Sequence, residues 1–193
     1  MSLIKVGTIQ GQTAGTDIQV PTGHRIQGVD TGSIYAPGTV VQCKVQTQTI
    51  GNTAHDADIE SVSITSSPGF SNAYTINTVS ITPKFSNSMI LMQWSGQIRL
   101  SGDTAQGVEM FFSKDDANLL TTGGNRNAIG FRYKGSGNDN NEYYAMESAQ
   151  YSFTSGQTTS MSLKVEINRY NTTGTIGLQH DGSTTLTVWE IAQ

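Results

Sequence analysis

The clearest pattern along the chain is a strict alternation of apolar and polar residues. Between Ile90 and Leu100, apolar side chains or glycine occupy every second position, and from Met92 onward Gln, Ser and Arg occupy the positions between them. Met161–Ile167 repeats the pattern with Ser, Lys and Glu on its polar side. A period of two residues is typical of a β-strand that buries one face. Both segments are therefore predicted to be strands of sheets that pack on one side.

Shorter segments of the same kind follow one another after Gly38. We predict further strands around Val41–Val45 and at Ile59–Thr65, Tyr74–Thr82, Val108–Ser113, Ile129–Lys134, Tyr143–Phe153, Thr175–Gln179 and Thr184–Ala192. On the first of these strands, Cys43 lies on the apolar side and is expected to pack as a small buried hydrophobe. The sequence has no long window of helical periodicity, which excludes parallel α/β folds because their crossover helices have nowhere to form.

About ten strands, each with one apolar and one polar face, indicate two antiparallel sheets packed face to face. The predicted fold class is all-β, an antiparallel jelly-roll-like β-sandwich with a short β-rich N-terminal arm. The sandwich is a C-terminal head over 39–193. The arm covers 1–38, where short β-like pieces separated by glycines hold too few apolar residues for a core. We expect the arm to attach the head to a larger particle, and a disordered leader is the alternative.

Composition agrees with strands and narrows the choice of partners. Ser, Thr, Asn and Gln make up more than a third of the 193 residues, whereas charged residues make up 13%. Helical soluble proteins draw their surfaces from Glu, Lys, Arg and Ala, so this balance argues against a helical protein. The net charge of −4 argues against binding to nucleic acid. No apolar run approaches the ~20 residues of a membrane-spanning helix, so no membrane insertion is expected.

Residue types that carry catalysis do not form a recognisable site. His24, His55 and His180 stand in separate turns without a metal-ligand spacing, and a single cysteine excludes a disulfide framework. The acidic segments 115–118 and 137–142 lack EF-hand spacing and are expected to be hydrophilic hairpin turns. We therefore expect no enzyme, no cofactor and no metal site. A sugar hydrolase, whose carboxylates converge only in three dimensions, is a marginal alternative.

The loop between the predicted strands at Ile129–Lys134 and Tyr143–Phe153 holds the residue types most typical of recognition. Tyr supplies rigid contact area, and Gly and Asn supply adaptable hydrogen bonds. The residues predicted to contact a receptor are Arg132, Tyr133, Asn138, Asp139, Asn140, Asn141, Tyr143 and Tyr144. The alternative is that the tyrosines pack in a sandwich or subunit core with their hydroxyls at the rim.

The last predicted strand, Thr184–Ala192, is apolar on both faces. This pattern indicates either a central position in its sheet or contact with another subunit. Because the arm has no core of its own, we expect a homotrimer. The apolar residues predicted to lie near the threefold contact are Phe111, Trp189 and Ile191.

Three segments of the chain resemble a known family. Ser80–Met92, SITPKFSNSMILM, is similar to the "ITP-x-x-SNSKILV" segment of tail-fibre and structural proteins of tailed bacteriophages, especially aquatic ones. Leu186–Gln193, LTVWEIAQ, resembles their closing "LTVMEIAQ" strand, and Leu3–Gln10 resembles their "LKVDTIQ" opening. The matching motifs occur in the same order at the start, middle and end of the chain.

The resemblance implies a homotrimeric virion protein that is made in the host cytoplasm and acts outside it. Its arm would bind other virion proteins, and its head, similar to the trimeric C1q and tumour-necrosis-factor jelly rolls, would bind a host-surface glycan or envelope component without catalysis. The alternative is a capsid-decorating fibre, or a baseplate or tail adaptor, with no receptor of its own. The loop at 135–142 matches nothing in the family pattern, so the resemblance carries over no receptor residue.

Overall fold

Strands make up most of the chain that the structure, a computed structural model, describes. The described residues are 35–49, 69–101, 106–120, 129–133, 143–169, 175–178 and 183–193. The unit that contains the strands runs from Ala36 to Gln193. The strand predicted at Ile59–Thr65 and all but the last four residues of the predicted arm lie outside the described residues, and the boundary at residue 38 stays a prediction.

Ten strands follow one another in the described ranges, and a single turn of 3-10 helix at Phe70–Asn72 is the one helical element there. The strands are β1 (Val40–Thr49), β2 (Tyr74–Ile81), β3 (Met89–Ser101), β4 (Gln106–Lys114), β5 (Ala117–Asn118), β6 (Ile129–Tyr133), β7 (Tyr143–Thr154), β8 (Met161–Arg169), β9 (Thr175–Leu178) and β10 (Ser183–Ile191).

All strand pairs are antiparallel, and they form two sheets. The front sheet has the order β1-β10-β3-β7, with β9 beside the second half of β3. The back sheet has the order β2-β8-β4-β5, with β6 beside the first half of β4. When β5 and β6 count as one interrupted strand, and β9 and β10 as another, each sheet has four strands in the order of a jelly roll. The predicted fold class is confirmed, and β10 takes the central position in its sheet.

The core lies between the two sheets. The inward side of β3 carries Ile90, Met92, Trp94 and Ile98, all at most 2% exposed. The inward side of β8 carries the apolar residues of the Met161–Ile167 alternation, also at most 1% exposed. Both alternations therefore bury the face that the sequence predicts, because apolar area removed from water is the main favourable term in folding.

Strand β1 departs from this rule, since its apolar side faces outward. Cys43 is exposed rather than buried as predicted, and Val45 is 59% exposed. The inward positions belong to Gln42, whose Nε2 donates to the Glu190 carboxylate, and Gln46, whose Oε1 accepts from Asn77 Nδ2 at 2.8 Å. Buried polar groups that lose their partners cost about 1–3 kcal/mol each. The side-chain amides, rather than hydrophobicity, therefore decide which side of β1 faces inward.

The two ends of the sandwich differ in how their strands are connected. We call the end where Ala36–Val40 enters the entry end; there β2 joins β3, β4 joins β5 and β7 joins β8 through short described turns. Strand pairing brings Thr49, Ser101, Tyr133 and Arg169 to the opposite end, which we call the far end. The connections 50–68, 102–105, 134–142 and 170–174 therefore start from the far end.

Two core side chains pack directly against the backbone of Gly96 on β3. A Cβ at this position would lie 2.6 Å from Trp94 Cζ2 and 2.8 Å from Thr184 Cγ2. Both neighbours are fully or almost fully buried, so neither has free space into which it can move. Glycine is therefore required here by packing.

Gly96→Ala is expected to lower the free energy of unfolding by about 1–3 kcal/mol, because it overpacks a closed core. The matched control is Ser95→Ala on the same strand, where the side chain is exposed and the expected change is within about 0.5 kcal/mol. Urea denaturation followed by tryptophan fluorescence measures both. Equal midpoints for the two variants would contradict the packing argument.

Candidate functional site

The residues predicted to contact a receptor lie on or between two strands that end at the far end of the sandwich. Arg132 and Tyr133 belong to β6, and Tyr143 and Tyr144 belong to the start of β7. β7 pairs along the whole length of β3, whereas β6 pairs with β4 in the other sheet. The two strands that border the loop are therefore held in different sheets.

The structure describes the backbone, but not the side chains, of Arg132, Tyr133, Tyr143 and Tyr144. Asn138, Asp139, Asn140 and Asn141 lie outside the described residues, as do the three histidines. Their roles stay predictions. The strand register places Arg132, Tyr133, Tyr143 and Tyr144 at the end of the head opposite to the entry of the chain.

The outer face of the front sheet is the second candidate surface. Its half next to the entry end carries apolar side chains from three adjacent strands, namely Val40, Cys43, Val45, Met89, Leu91, Trp189 and Ile191. The strand register puts Cys43 opposite Trp189, and Trp189 opposite Leu91. Val40 is 52% exposed, and the β3 and β10 members are partly exposed. These side chains form an apolar patch on the outside of the sandwich.

The other half of this face is polar but uncharged. It carries amides and hydroxyls from four strands, together with one exposed methionine: Thr47, Gln93, Ser95, Gln97, Met146, Ser148, Gln150, Thr185 and Thr187. An open cavity of about 350 Å³ lies beside Gln93, Ser148 and Gln150. The Oε1 atom of Gln97 is buried and accepts no hydrogen bond in the described part of the chain. Over Met89–Gln97 on β3 and the paired residues of its neighbours, no described outward side chain is charged.

The three residues predicted to lie near a threefold contact do not share one surface. Trp189 and Ile191 lie on the outer face of the front sheet. Phe111 lies on the outer side of the back sheet, is fully buried within the single chain and contacts Phe70 edge-on at 5.6 Å between ring centroids. Contact of any of the three with another subunit stays a prediction, and only the first two belong to a partly exposed patch.

The back sheet is covered on its outer side near Phe70–Asn72. Asn168 Nδ2 donates to the Gly69 carbonyl at 2.7 Å and is fully buried. Glu166 is 8% exposed and accepts hydrogen bonds from Thr75 Oγ1 at 3.1 Å and Ser113 Oγ at 2.6 Å. Hydrogen bonds offset the cost of removing a carboxylate from water. The polar groups on this side therefore have structural partners within the chain.

The first acidic segment, around Asp115 and Asp116, is a tight hairpin turn, as the sequence predicts. Both residues have positive φ, 49° and 66°, as a two-residue type I′ hairpin requires. The Asp115 Oδ1 atom accepts from the Ser162 N–H at 2.8 Å, and Asp116 pairs with Lys164. The hydrogen bond to Asp116 raises the pKa of Lys164, so its contribution to stability is present below about pH 10.5 and is lost at higher pH. The second acidic segment lies outside the described residues.

The most densely hydrogen-bonded group of the described residues is the carboxylate of Glu190, which is 0% exposed. Its Oε1 atom accepts from the backbone N–H of Lys84 at 2.7 Å, from the N–H of Phe85 at 3.1 Å and from Ser88 Oγ at 2.7 Å. Its Oε2 atom accepts from Gln42 Nε2 at 2.6 Å. Four donors from two segments, the turn at 82–88 and β1, therefore converge on one buried carboxylate.

The turn bound by Glu190, residues 82–88, is held from its other side as well. Ser155 Oγ donates to the carbonyls of Phe85 and Ser86, both at 2.8 Å, and the Ser155 N–H donates to the Ser88 carbonyl at 2.9 Å. The Gln42 side chain donates to the Thr82 carbonyl at 2.7 Å. This turn carries the chain from the back sheet to the front sheet and is fixed in one conformation.

Sequence reasoning missed the role of Glu190, although the signal was present. A single glutamate interrupts the apolar strand Leu186–Ala192, and a turn with N–H donors and hydroxyls stands at 82–88. A charge inside an apolar strand needs buried partners. Two of the three segments that carry the phage resemblance, Ser80–Met92 and Leu186–Gln193, are joined by this carboxylate, so residues in both serve the fold.

Among the described residues, no group of three or more His, Cys, Asp or Glu side chains is placed to hold a metal ion. The helical turn within these ranges is too short to cross a membrane.

Comparisons with known proteins leave the chain without a family. No protein-family model matches it, and no curated protein sequence matches it. A structure of dimeric latent PorU from Porphyromonas gingivalis is similar at TM-score 0.38 and 12% identity, covering 83% of this chain and 14% of that one. Structures of infectious bursal disease virus and of its VP2 protein in T=1 particles are similar at TM-scores 0.35 and 0.34, both at 13% identity. They cover 88% of this chain and 43% and 41% of theirs. The chain thus spans less than half the length of each, and similarity at this level assigns no family.

Glu190→Ala is expected to lower the free energy of unfolding by about 3 kcal/mol or more, because it leaves several buried donors without an acceptor. Glu190→Gln keeps an acceptor oxygen and should cost less. The matched control is Lys84→Ala, since only the backbone N–H of this exposed residue takes part, and its expected change is within about 0.5 kcal/mol. Chemical denaturation measures all three, and a Glu190→Ala variant as stable as the control would contradict the assignment.

Proposed function

We propose that this chain is a structural protein of a tailed-bacteriophage virion, a short homotrimeric tail fibre. Its β-sandwich head binds a glycan or envelope component on the host surface without catalysis. Residues 1–38 attach it to other virion proteins. The observation that carries the proposal is the difference between the two ends of the head.

The entry end is suited to anchoring. The chain enters there with the Gly38 N–H donating to the Ala192 carbonyl at 2.8 Å and the Ala192 N–H donating to the Thr39 carbonyl at 2.9 Å. The turn at 82–88, bound to Glu190, lies at the same end. These hydrogen bonds fix the point at which the chain enters the head. A head attached through residues 1–38 would therefore be held at this end.

The far end is suited to recognition. It is the starting point of four connections, among them the loop at 134–142 with its Gly, Asn and flanking Tyr residues. Binding residues occur most often on loops that a rigid scaffold positions. Weak contacts of single loops gain avidity when three heads present them together. A fibre head held at one end and bearing loops at the other combines these properties.

A second candidate function is a capsid-decorating fibre or a baseplate or tail adaptor with no receptor. The hydrogen-bonded entry end supports this candidate as well, because an adaptor needs a fixed base but no receptor site. Both candidates are virion structural proteins, and they differ in whether the far end contacts the host.

The homotrimer is expected to have three times the 20.7 kDa mass of one chain in solution. Light scattering coupled to size exclusion at micromolar concentration measures it. A mass of one chain would contradict the trimer.

Purified protein is expected to label host cells and to reduce phage adsorption in competition with whole particles. Replacing Asn138–Asn141 by a Gly-Ser linker should abolish labelling and leave the fold intact, since flexible surface loops tolerate such changes. Ser80→Glu, an exposed change on the back sheet, is the control and should label like the parent. Labelling by the linker variant at the level of the parent would exclude this loop as the site. Absence of labelling by the parent would favour the capsid or adaptor role.

A further inference from the structure

Strand β1 turns its apolar side to the outside of the sandwich. Val40 and Val45 are more than half exposed, and Cys43 between them is exposed as well. A shift of one residue would reverse the two sides, but it would remove the Gln42 and Gln46 amides from their inward hydrogen bonds. The outward position of the apolar side is therefore built into the fold and leaves apolar area that a partner can cover.

The apolar side of β1 continues across the sheet without a charge. Cys43, Trp189 and Leu91 form one row over three adjacent strands. The polar half of the face adds amides and hydroxyls, including the buried Gln97 oxygen, for which the described residues supply no donor. Charged residues make up 13% of the whole chain, whereas none occurs among the described outward residues of this face. Interface cores are depleted of charged residues and enriched in aromatic residues and Met. The composition of this face is that of an interface.

We propose that copies of this chain contact one another through the outer face of the front sheet. Copies arranged around a symmetry axis place residues near the axis beside their own equivalents, so a charge there would repel its own copy. A face without charge avoids this repulsion, although the whole chain carries a net charge of −4. A partner of different sequence would not require an uncharged face, because opposite charges could pair. The second copy is therefore the occupant that the charge pattern favours.

The size of the face is sufficient for a stable contact. Four strands about 4.8 Å apart, with nine residues of β3 at about 3.3 Å each, give an area of roughly 30 Å by 20 Å. With side-chain relief, this approaches the ~800 Å² per partner of a standard interface. The proposal rests on the proposed homo-oligomer and adds the surface through which it forms.

The test introduces one charge on this face and one on the other sheet. Ser152 is exposed on the edge strand β7, opposite Leu91, and Ser80 is exposed on the edge strand β2 of the back sheet. Ser152→Glu is expected to weaken assembly at least about tenfold, because the contact would bury a charge against a face that offers no opposite charge. Ser80→Glu should assemble like the parent. Analytical ultracentrifugation over a concentration series measures assembly, and circular dichroism checks that both variants are folded.

Cys43 provides a second, native probe within the apolar patch, on the edge strand β1. In the assembled parent its thiol is expected to react with a maleimide at least about tenfold more slowly than in Ser152→Glu at the same concentration. Slow reaction in a monomeric parent would overturn the proposal, since the chain would then cover its own face. An assembled parent with fast Cys43 reaction, or equal assembly of Ser152→Glu and Ser80→Glu, would also overturn it and would leave the homotrimer standing on another surface. If the parent assembles as expected but does not label host cells, the result contradicts the proposed receptor binding and leaves the contact between copies standing.

Discussion

The buried carboxylate of Glu190 is the constraint on which the arrangement of the head depends. It sits on the central strand β10 and binds the turn that carries the chain from the back sheet to the front sheet. It also binds Gln42 and so decides which side of β1 faces inward. An ionised group removed from water is tolerated only when donors surround it. The last strand, the edge strand and the crossing turn are therefore positioned together.

One consequence reaches the outside of the molecule. Because Gln42 and Gln46 point inward, the apolar residues of β1 join those of β3 and β10 on the outer face of the front sheet. The back sheet differs, since its outer side buries Phe111 beneath Phe70 and pairs Glu166 with two hydroxyls. The outer side of the back sheet is thus covered by the chain itself near Phe70, whereas the outer face of the front sheet keeps exposed apolar groups. This asymmetry connects a hydrogen bond in the core with the proposed assembly of copies.

The candidate sites differ in how far the sequence can locate them. The loop at 134–142 stands out by composition alone, and antiparallel pairing is enough to bring its borders, Tyr133 and Tyr143, to the far end. The outer face of the front sheet does not stand out in the sequence, because its residues come from four strands that are distant along the chain. For the same reason, the prediction placed Phe111 and Trp189 near one contact, although they lie on different sheets. Apolar character is visible in a sequence, but the sheet to which a residue belongs is not.

The sequence alone determined the all-β class and the buried sides of β3 and β8. The alternation of β8 is unmixed and that of β3 is long, so burial of apolar area favours one arrangement in each strand. It also determined the tight turn at Asp115, where two polar residues join two apolar strands. Only the tertiary structure decided the side of β1 that faces inward and the role of Glu190. In β1 the apolar side is short and lies on an edge strand, so turning it inward would bury little apolar area. The hydrogen bond from Gln42 to the Glu190 carboxylate, almost 150 residues away, outweighs that small gain in burial. No local sequence pattern contains this partner.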